Sequence, residues 1–105
     1  MTHEITSEQF EGEVIKSTLP VLVDFSATWC PPCKMLEPVI ERLSKEYEGK
    51  LKVIKINTDN SPDLATRYQI RGVPTMMFFK NGLNERTIVG YRDYDRLKEE
   101  LELIL

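Results

Sequence analysis

The chain has 105 residues, 41% hydrophobic and 30% charged, long enough for one modest core and too apolar to remain disordered. Its net charge of −3 is too mild to point to a nucleic-acid or membrane surface, and no apolar run approaches the length of a membrane span. The opening MTHEITSEQF has no basic or apolar leader region, so the expectation is a cytoplasmic protein folded as one domain, residues 1–105, with its thiols normally reduced.

Thr6 as N-cap, with Gln9 three residues on and Ile5 placed to staple against Phe10, predicts a first helix from Ser7 to about Lys16, weakened by Gly12. After Pro20, VLVDFSA (21–27) is apolar without alternation, the pattern of a strand buried on both faces. A second helix is predicted from about Pro32 to Glu48. Leu36, Val39, Ile40, Leu43 and Tyr47 recur there at helical spacing, Gly49 is placed to end it, and Pro38 should kink it. LKVIKIN (51–57) is another buried strand, and Ser61-Pro62 opens a short helix to about Gln69. TMMFFK (75–80) and ERTIVGY (85–91) are strands joined through Asn81-Gly82, a strong hairpin signal. Asp93 caps a last helix that turns Tyr94, Leu97, Leu101 and Ile104 inward. Strands alternating with helices imply right-handed parallel crossovers, and the hairpin adds an antiparallel edge. The expected class is α/β: a central mixed, mainly parallel sheet with helices on both faces.

WCPPCK (29–34) holds the only two cysteines, Cys30 and Cys33, with Pro31 and Pro32 between them. As a structural staple the pair is poor: so small a ring gives roughly 2 kcal/mol by loop entropy, against about 4.7 for a loop of about 100 residues. A closed zinc site wants four ligands, and beside the two cysteines there is only His3, near a terminus expected to fray. A metal or iron–sulfur site shared across a dimer could supply four thiolates, but nothing else in the sequence asks for one, and the redox reading leads. Cys30 falls past the carboxyl end of a strand and at the amino end of a helix, where unpaired N–H groups and the helix dipole favour a thiolate. Cys33 shares a helical face with Leu36 and Ile40 and should be shielded. An exposed attacker and a buried resolver are what disulfide exchange requires.

Asp24 interrupts the apolar run of its strand, where burial should raise its pKa, and Lys55 interrupts LKVIKIN in the same way. Two readings are open: a buried Asp24–Lys55 ion pair, or Asp24 as proton acceptor for Cys33 with Lys55 modulating it. Val73-Pro74-Thr75 leads into a strand, where proline without an N–H fits the first position.

Taken together, VDFSATWCPPCKMLEP, KINTD, YQIRGVPT, FFKNG and VG resemble the thioredoxin family over essentially the whole chain. The resemblance implies a thioredoxin fold and a general protein-disulfide reductase, with Cys30, Cys33, Asp24, Lys55 and Pro74 as the catalytic set. It implies no bound cofactor and no metal. The redox-active Cys30–Cys33 disulfide would be re-reduced by a thioredoxin reductase, with electrons ultimately from NADPH or ferredoxin. It also implies a cis Pro74 against the cysteines, and a substrate groove lined by Trp29, Pro31, Val73, Pro74, Val89 and Gly90. The expected partners are that reductase and disulfide-bearing proteins, met as a monomer. Departures from the family pattern are Pro31 in place of glycine, which with Pro32 bears on redox tuning, Ser26 in place of a large aromatic, and Tyr91 in place of a small residue. A disulfide oxidase or isomerase, and a binding subunit that only lends its groove, are the competing readings. Proline, not histidine, before Cys33 argues against the oxidase.

Overall fold

Five strands form one sheet in the computed structural model, which describes residues 2–105: β1 (His3–Ile5), β2 (Val21–Ser26), β3 (Lys52–Asn57), β4 (Thr75–Lys80) and β5 (Leu83–Val89). Their order is β1-β3-β2-β4-β5, with β1 and β2 parallel to β3, and with β2–β4 and β4–β5 antiparallel. The helices are α1 (Ser7–Phe10), continued as a wider turn over Glu11–Ile15, α2 (Pro31–Glu46), α3 (Pro62–Arg67) and α4 (Tyr94–Glu102). This is the expected mixed α/β sheet.

Alternation along the strands divides the core in two. Leu22, Val53, Met76, Phe78 and Ile88 pack with Leu36, Ile40 and Leu43 of α2 and with Leu97 and Leu101 of α4. On the other face, Val21, Val23, Phe25, Ile54, Ile56, Met77 and Phe79 pack with Phe10, Val14 and Leu64. Phe10 meets Phe79 edge to face, with ring centroids 5.8 Å apart. β2 is central, so its carboxyl end delivers the following loop to the middle of the molecule.

Most expected elements are present, with shifted ends. The Thr6 N–H donates to Gln9 Oε1 at 3.2 Å, as a capping box requires. Past Phe10 the helix widens: the Lys16 N–H donates five residues back to the Glu11 carbonyl at 2.9 Å, and Gly12, a weak helix former, lies inside this section. β1 was not expected at all. Its three residues fill the free edge of β3, so His3, facing Ile54 across the pair, is held in the sheet rather than frayed. α3 stops at Arg67 because Gln69 adopts φ +54°. The Ser61 hydroxyl does not cap α3; the Ser61 carbonyl takes the Leu64 N–H instead, at 3.1 Å. Asp93 does cap α4, accepting from the Arg96 N–H at 2.9 Å. Asn81 and Gly82 turn the hairpin with φ of +53° and +81°, the two positive angles a tight two-residue turn needs. No helix among the described residues is long and apolar enough to cross a membrane.

Candidate active site

β2 ends at Ser26, and four residues later Cys30 stands at the N-cap of α2 with φ −100° and ψ 108°. Those extended angles are what a residue before proline prefers. Pro31 and Pro32 then occupy the first helical positions, where a missing N–H costs no helical hydrogen bond. The first N–H that can turn back is that of Cys33, and it donates to Cys30 Sγ at 3.2 Å. The two cysteines form a disulfide with their Cα atoms 5.2 Å apart. Cys30 is not the exposed residue its position suggested. It is 3% exposed, as is Cys33, because Ala27 and Val73 pack around the pair.

Val73 comes from 43 positions away in sequence, and its carbonyl oxygen lies 3.5 Å from Cys30 Sγ. The Val73–Pro74 bond is cis, with Pro74 buried at the entry to β4. The Pro74 carbonyl accepts the Gly90 N–H at 2.8 Å, which ties the end of β5 to the proline loop. Gly90 sits at φ +96°, an angle a side chain would strain. Beside these loops Trp29 and Val89 stand 68% and 61% exposed, large apolar residues displayed at the rim of a buried disulfide. Trp29, Val73 and Gly72 line a concavity of about 160 Å³ there.

Two residues that brace this rim are not among the expected site residues, although Asp59 closes the KINTD stretch. Asp59 Oδ2 accepts the Trp29 Nε1–H at 3.1 Å and fixes the indole. Arg92 Nη1 donates to the carbonyls of Val89 at 3.3 Å and Tyr91 at 3.0 Å, on either side of Gly90. Ser26 is buried, while Tyr91 lies just beyond the groove, 37% exposed.

Behind α2, Asp24 is 1% exposed, and its Oδ1 has no hydrogen-bond partner among the described residues. Burial pushes its carboxyl up from 3.8 to about 7; the charge of Lys55 opposes that rise and the charge of Glu37 adds to it. Asp24 and Lys55 are register partners on β2 and β3, yet they do not form the buried ion pair entertained from sequence. Lys55 Nζ instead meets Glu37 Oε2 of α2 at 3.5 Å, and the lysine side chain is 28% exposed. A long flexible stem lets the ammonium leave the strand for the wetter rim.

Two cavities meet at this pair. One, of about 240 Å³, is lined by Asp24, Glu4, Glu37, Glu41 and Lys55. The other, of about 260 Å³, is lined by Cys33, Ala27, Lys34, Glu37 and Lys55. His3 lies on edge strand β1, with β3 between it and β2. Among the described residues no cluster of His, Cys, Asp and Glu is arranged to hold a metal ion. The chemistry on display is reversible thiol–disulfide exchange beside a buried carboxyl that changes protonation near neutrality.

A family model described as Thioredoxin matches residues 1–103. The chain is 50% identical over 99 residues to "Thioredoxin" of Rickettsia bellii, covering 94% of both. It is 46% identical over 99 residues to "Thioredoxin 1" of a Nostoc species, covering 94% of this chain and 92% of that one. It is 44% identical over 102 residues to "Thioredoxin M-type, chloroplastic" of Spinacia oleracea, covering 97% of this chain and 56% of the relative. The chain therefore belongs to the thioredoxin family, and it is a protein-disulfide reductase whose redox group is its own Cys30–Cys33 pair.

Proposed function

We propose that the reductase works with Cys30 as attacking thiol, Cys33 as resolving thiol and Asp24 as the proton acceptor for Cys33. The observation that carries this reading is the unequal placement of the two sulfurs at one helix start. Cys30 Sγ is the N-cap atom, receives the Cys33 N–H and lies beside the Val73 carbonyl, at the groove. Cys33 lies one turn inside α2 and lines the cavity that shares Glu37 and Lys55 with the chamber of Asp24.

In the forward reaction the Cys30 thiolate attacks one sulfur of a substrate disulfide. A Cys30–substrate disulfide forms and the other substrate sulfur leaves as a thiolate, which takes up a proton. Asp24 then accepts the Cys33 proton. The Cys33 thiolate attacks Cys30 Sγ, forms the intramolecular disulfide and expels the second substrate thiolate. Two electrons pass from the dithiol to the substrate, and an external thioredoxin reductase returns them. Lys55 modulates Asp24 by its charge.

Trp29, Pro31, Val73, Pro74, Val89 and Gly90 serve as the apolar groove for an extended substrate chain. The exposure of Trp29 and Val89 and the Gly90–Pro74 hydrogen bond support that role. Pro31 and Pro32 tune the redox poise. Neither carries an N–H, so the Cys33 N–H at 3.2 Å is the donor left to the Cys30 sulfur. Weaker stabilisation of the thiolate disfavours the dithiol and makes the pair more reducing. The whole chain acts as one domain and as a monomer in a reducing compartment, the cytoplasm being the simplest.

Two measurements test the assignment. Limiting iodoacetamide at neutral pH should label Cys30 of the reduced protein several-fold faster than Cys33. Cys33→Ser should accumulate mixed disulfides with protein substrates, because the attacking thiol survives and its release does not. Preferential labelling of Cys33, or trapping by Cys30→Ser instead, reverses the roles.

A further inference from the structure

We propose that Glu37 is a positioning residue for disulfide exchange: by holding Lys55 on the wall that the two cavities share, it keeps the ammonium from pairing with Asp24 and so sets the pH at which Cys33 gives up its proton. The inference rests on Asp24 being the proton acceptor for Cys33, as proposed above.

The geometry that points to it is the choice Lys55 makes. Its strand partner in register is Asp24, and both residues line the same chamber. A buried carboxylate beside a lysine would ordinarily draw the ammonium in, since an unpaired buried charge is costly. Lys55 Nζ nonetheless ends 3.5 Å from Glu37 Oε2, on a carboxylate that is half exposed. Among the described residues Asp24 is left with an unpartnered oxygen. Glu37 and Lys55 are the two ionisable residues that line both cavities, one reaching Asp24 and the other reaching Cys33.

The groups that face Asp24 come from several elements. β3 contributes Lys55, α2 contributes Glu37 and Glu41, and β1 contributes Glu4. On β4, the residue paired with Asp24 is Met76, which cannot titrate. Around the second cavity the charged neighbours are Lys34, Glu37 and Lys55. Of the three glutamates in the Asp24 chamber, Glu37 is the one that Lys55 reaches. Its influence therefore has two parts of the same sign. Its own negative charge disfavours ionisation of Asp24, and its hold on Lys55 keeps the cation from pairing with Asp24, so the ammonium favours ionisation less than it would in contact.

Glu37→Gln removes both parts at once. The test follows the Asp24 carboxyl carbon by NMR across pH in the oxidised protein, together with the pH–rate profile of mixed-disulfide release. The midpoint of Asp24 should fall by about 0.5–1 pH unit in Glu37→Gln, and the inflection of the release rate should move with it. Glu41→Gln, which alters the same chamber without touching the ion pair, should move the midpoint by much less. In a Lys55→Met background, Glu37→Gln should keep only the direct part of its effect, so its shift should be smaller than in the wild-type background.

An unmoved midpoint in Glu37→Gln overturns the inference. So does an equal shift in Glu41→Gln, which would assign the effect to the total charge of the cavity, or an undiminished shift without Lys55. A failure of the underlying reading looks different. The Glu37→Gln midpoint moves, while Asp24→Asn leaves the release profile unchanged.

Discussion

All six residues of β2 are buried, yet its two faces do different work. Val21, Val23 and Phe25 face α1 and α3 and join an apolar cluster with Ile54, Ile56 and Phe79. Leu22 begins the opposite face under α2 in the same manner, and then the chemistry changes: the next two residues on that face are Asp24 and Ser26. Opposite them in register on β3 stand Lys55 and Asn57. Asp24 Oδ1 and Ser26 Oγ are both buried without partners among the described residues. Burial does not separate the two faces, but hydrogen-bond satisfaction does. The face toward α1 and α3 is built for stability, and the carboxyl-terminal half of the other face gives up stability at the end of the strand that leads to the cysteines.

The sharpest break of this contrast is Phe25→Ala. Phe25 is fully buried among apolar neighbours, with Tyr68 at a ring-centroid distance of 6.2 Å. Its truncation should cost about 3–5 kcal/mol in urea unfolding, the usual penalty for a large core aromatic. Disulfide exchange per folded molecule should stay within about twofold, since that face carries none of the proton chemistry. A large change in the resolving step without a stability loss would show that the two faces are not separate.

Asp24→Asn should act the other way round. Burial raises the folded pKa from 3.8 to about 7. Between those values the unfolded chain is ionised and the folded one retains its proton, so the folded state binds more protons and stability falls as pH rises. Below about pH 4 both states are protonated and Asp24 costs nothing by this route; above about pH 7 the loss is complete. Asparagine cannot ionise, so the variant should gain on wild type by about 1–4 kcal/mol at pH 8 and much less at pH 4. Mixed-disulfide release should slow about tenfold and lose its inflection near neutrality. A variant that is less stable at pH 8 and releases substrate at the normal rate would make Asp24 a structural residue.

What the sequence disclosed and what it hid follow from range. The buried strands β2 and β3, the amphipathic α2 and the Asn81-Gly82 turn are written in periodicities and dipeptides a few residues long. The cysteine motif is equally local, and Asp24 and Lys55 announce themselves as charges inside apolar runs. β1 was silent because only one of its three residues, Ile5, is buried; the free edge of β3 makes it a strand. The burial of Cys30 depends on Val73, supplied by a distant loop. The partner of Lys55 was hidden for the same reason. Glu37 falls on the outward side of α2 by its helical spacing, and only the packing of α2 over β3 brings its carboxylate to the ammonium.

The smallest expected effect separates the two polar residues of that face from one another. Ser26 Oγ is buried without a partner, while the Ser26 carbonyl accepts the Thr58 N–H at 3.0 Å and Thr58 Oγ1 at 3.3 Å. Ser26→Ala leaves those backbone contacts in place and removes only the hydroxyl. Losing an unsatisfied buried hydroxyl relieves about 1 kcal/mol or more of desolvation, and the small void left behind returns part of it. The net gain should be about 0.5–1 kcal/mol. A serine does not titrate in the accessible range, so the gain should be equal at pH 5 and pH 8, unlike that of Asp24→Asn. The release profile should not move. Urea unfolding at the two pH values decides the matter. If Ser26→Ala instead loses stability at pH 8 and not at pH 5, the hydroxyl serves the ionised form of Asp24, and the two residues form one coupled unit whose substitutions will not add.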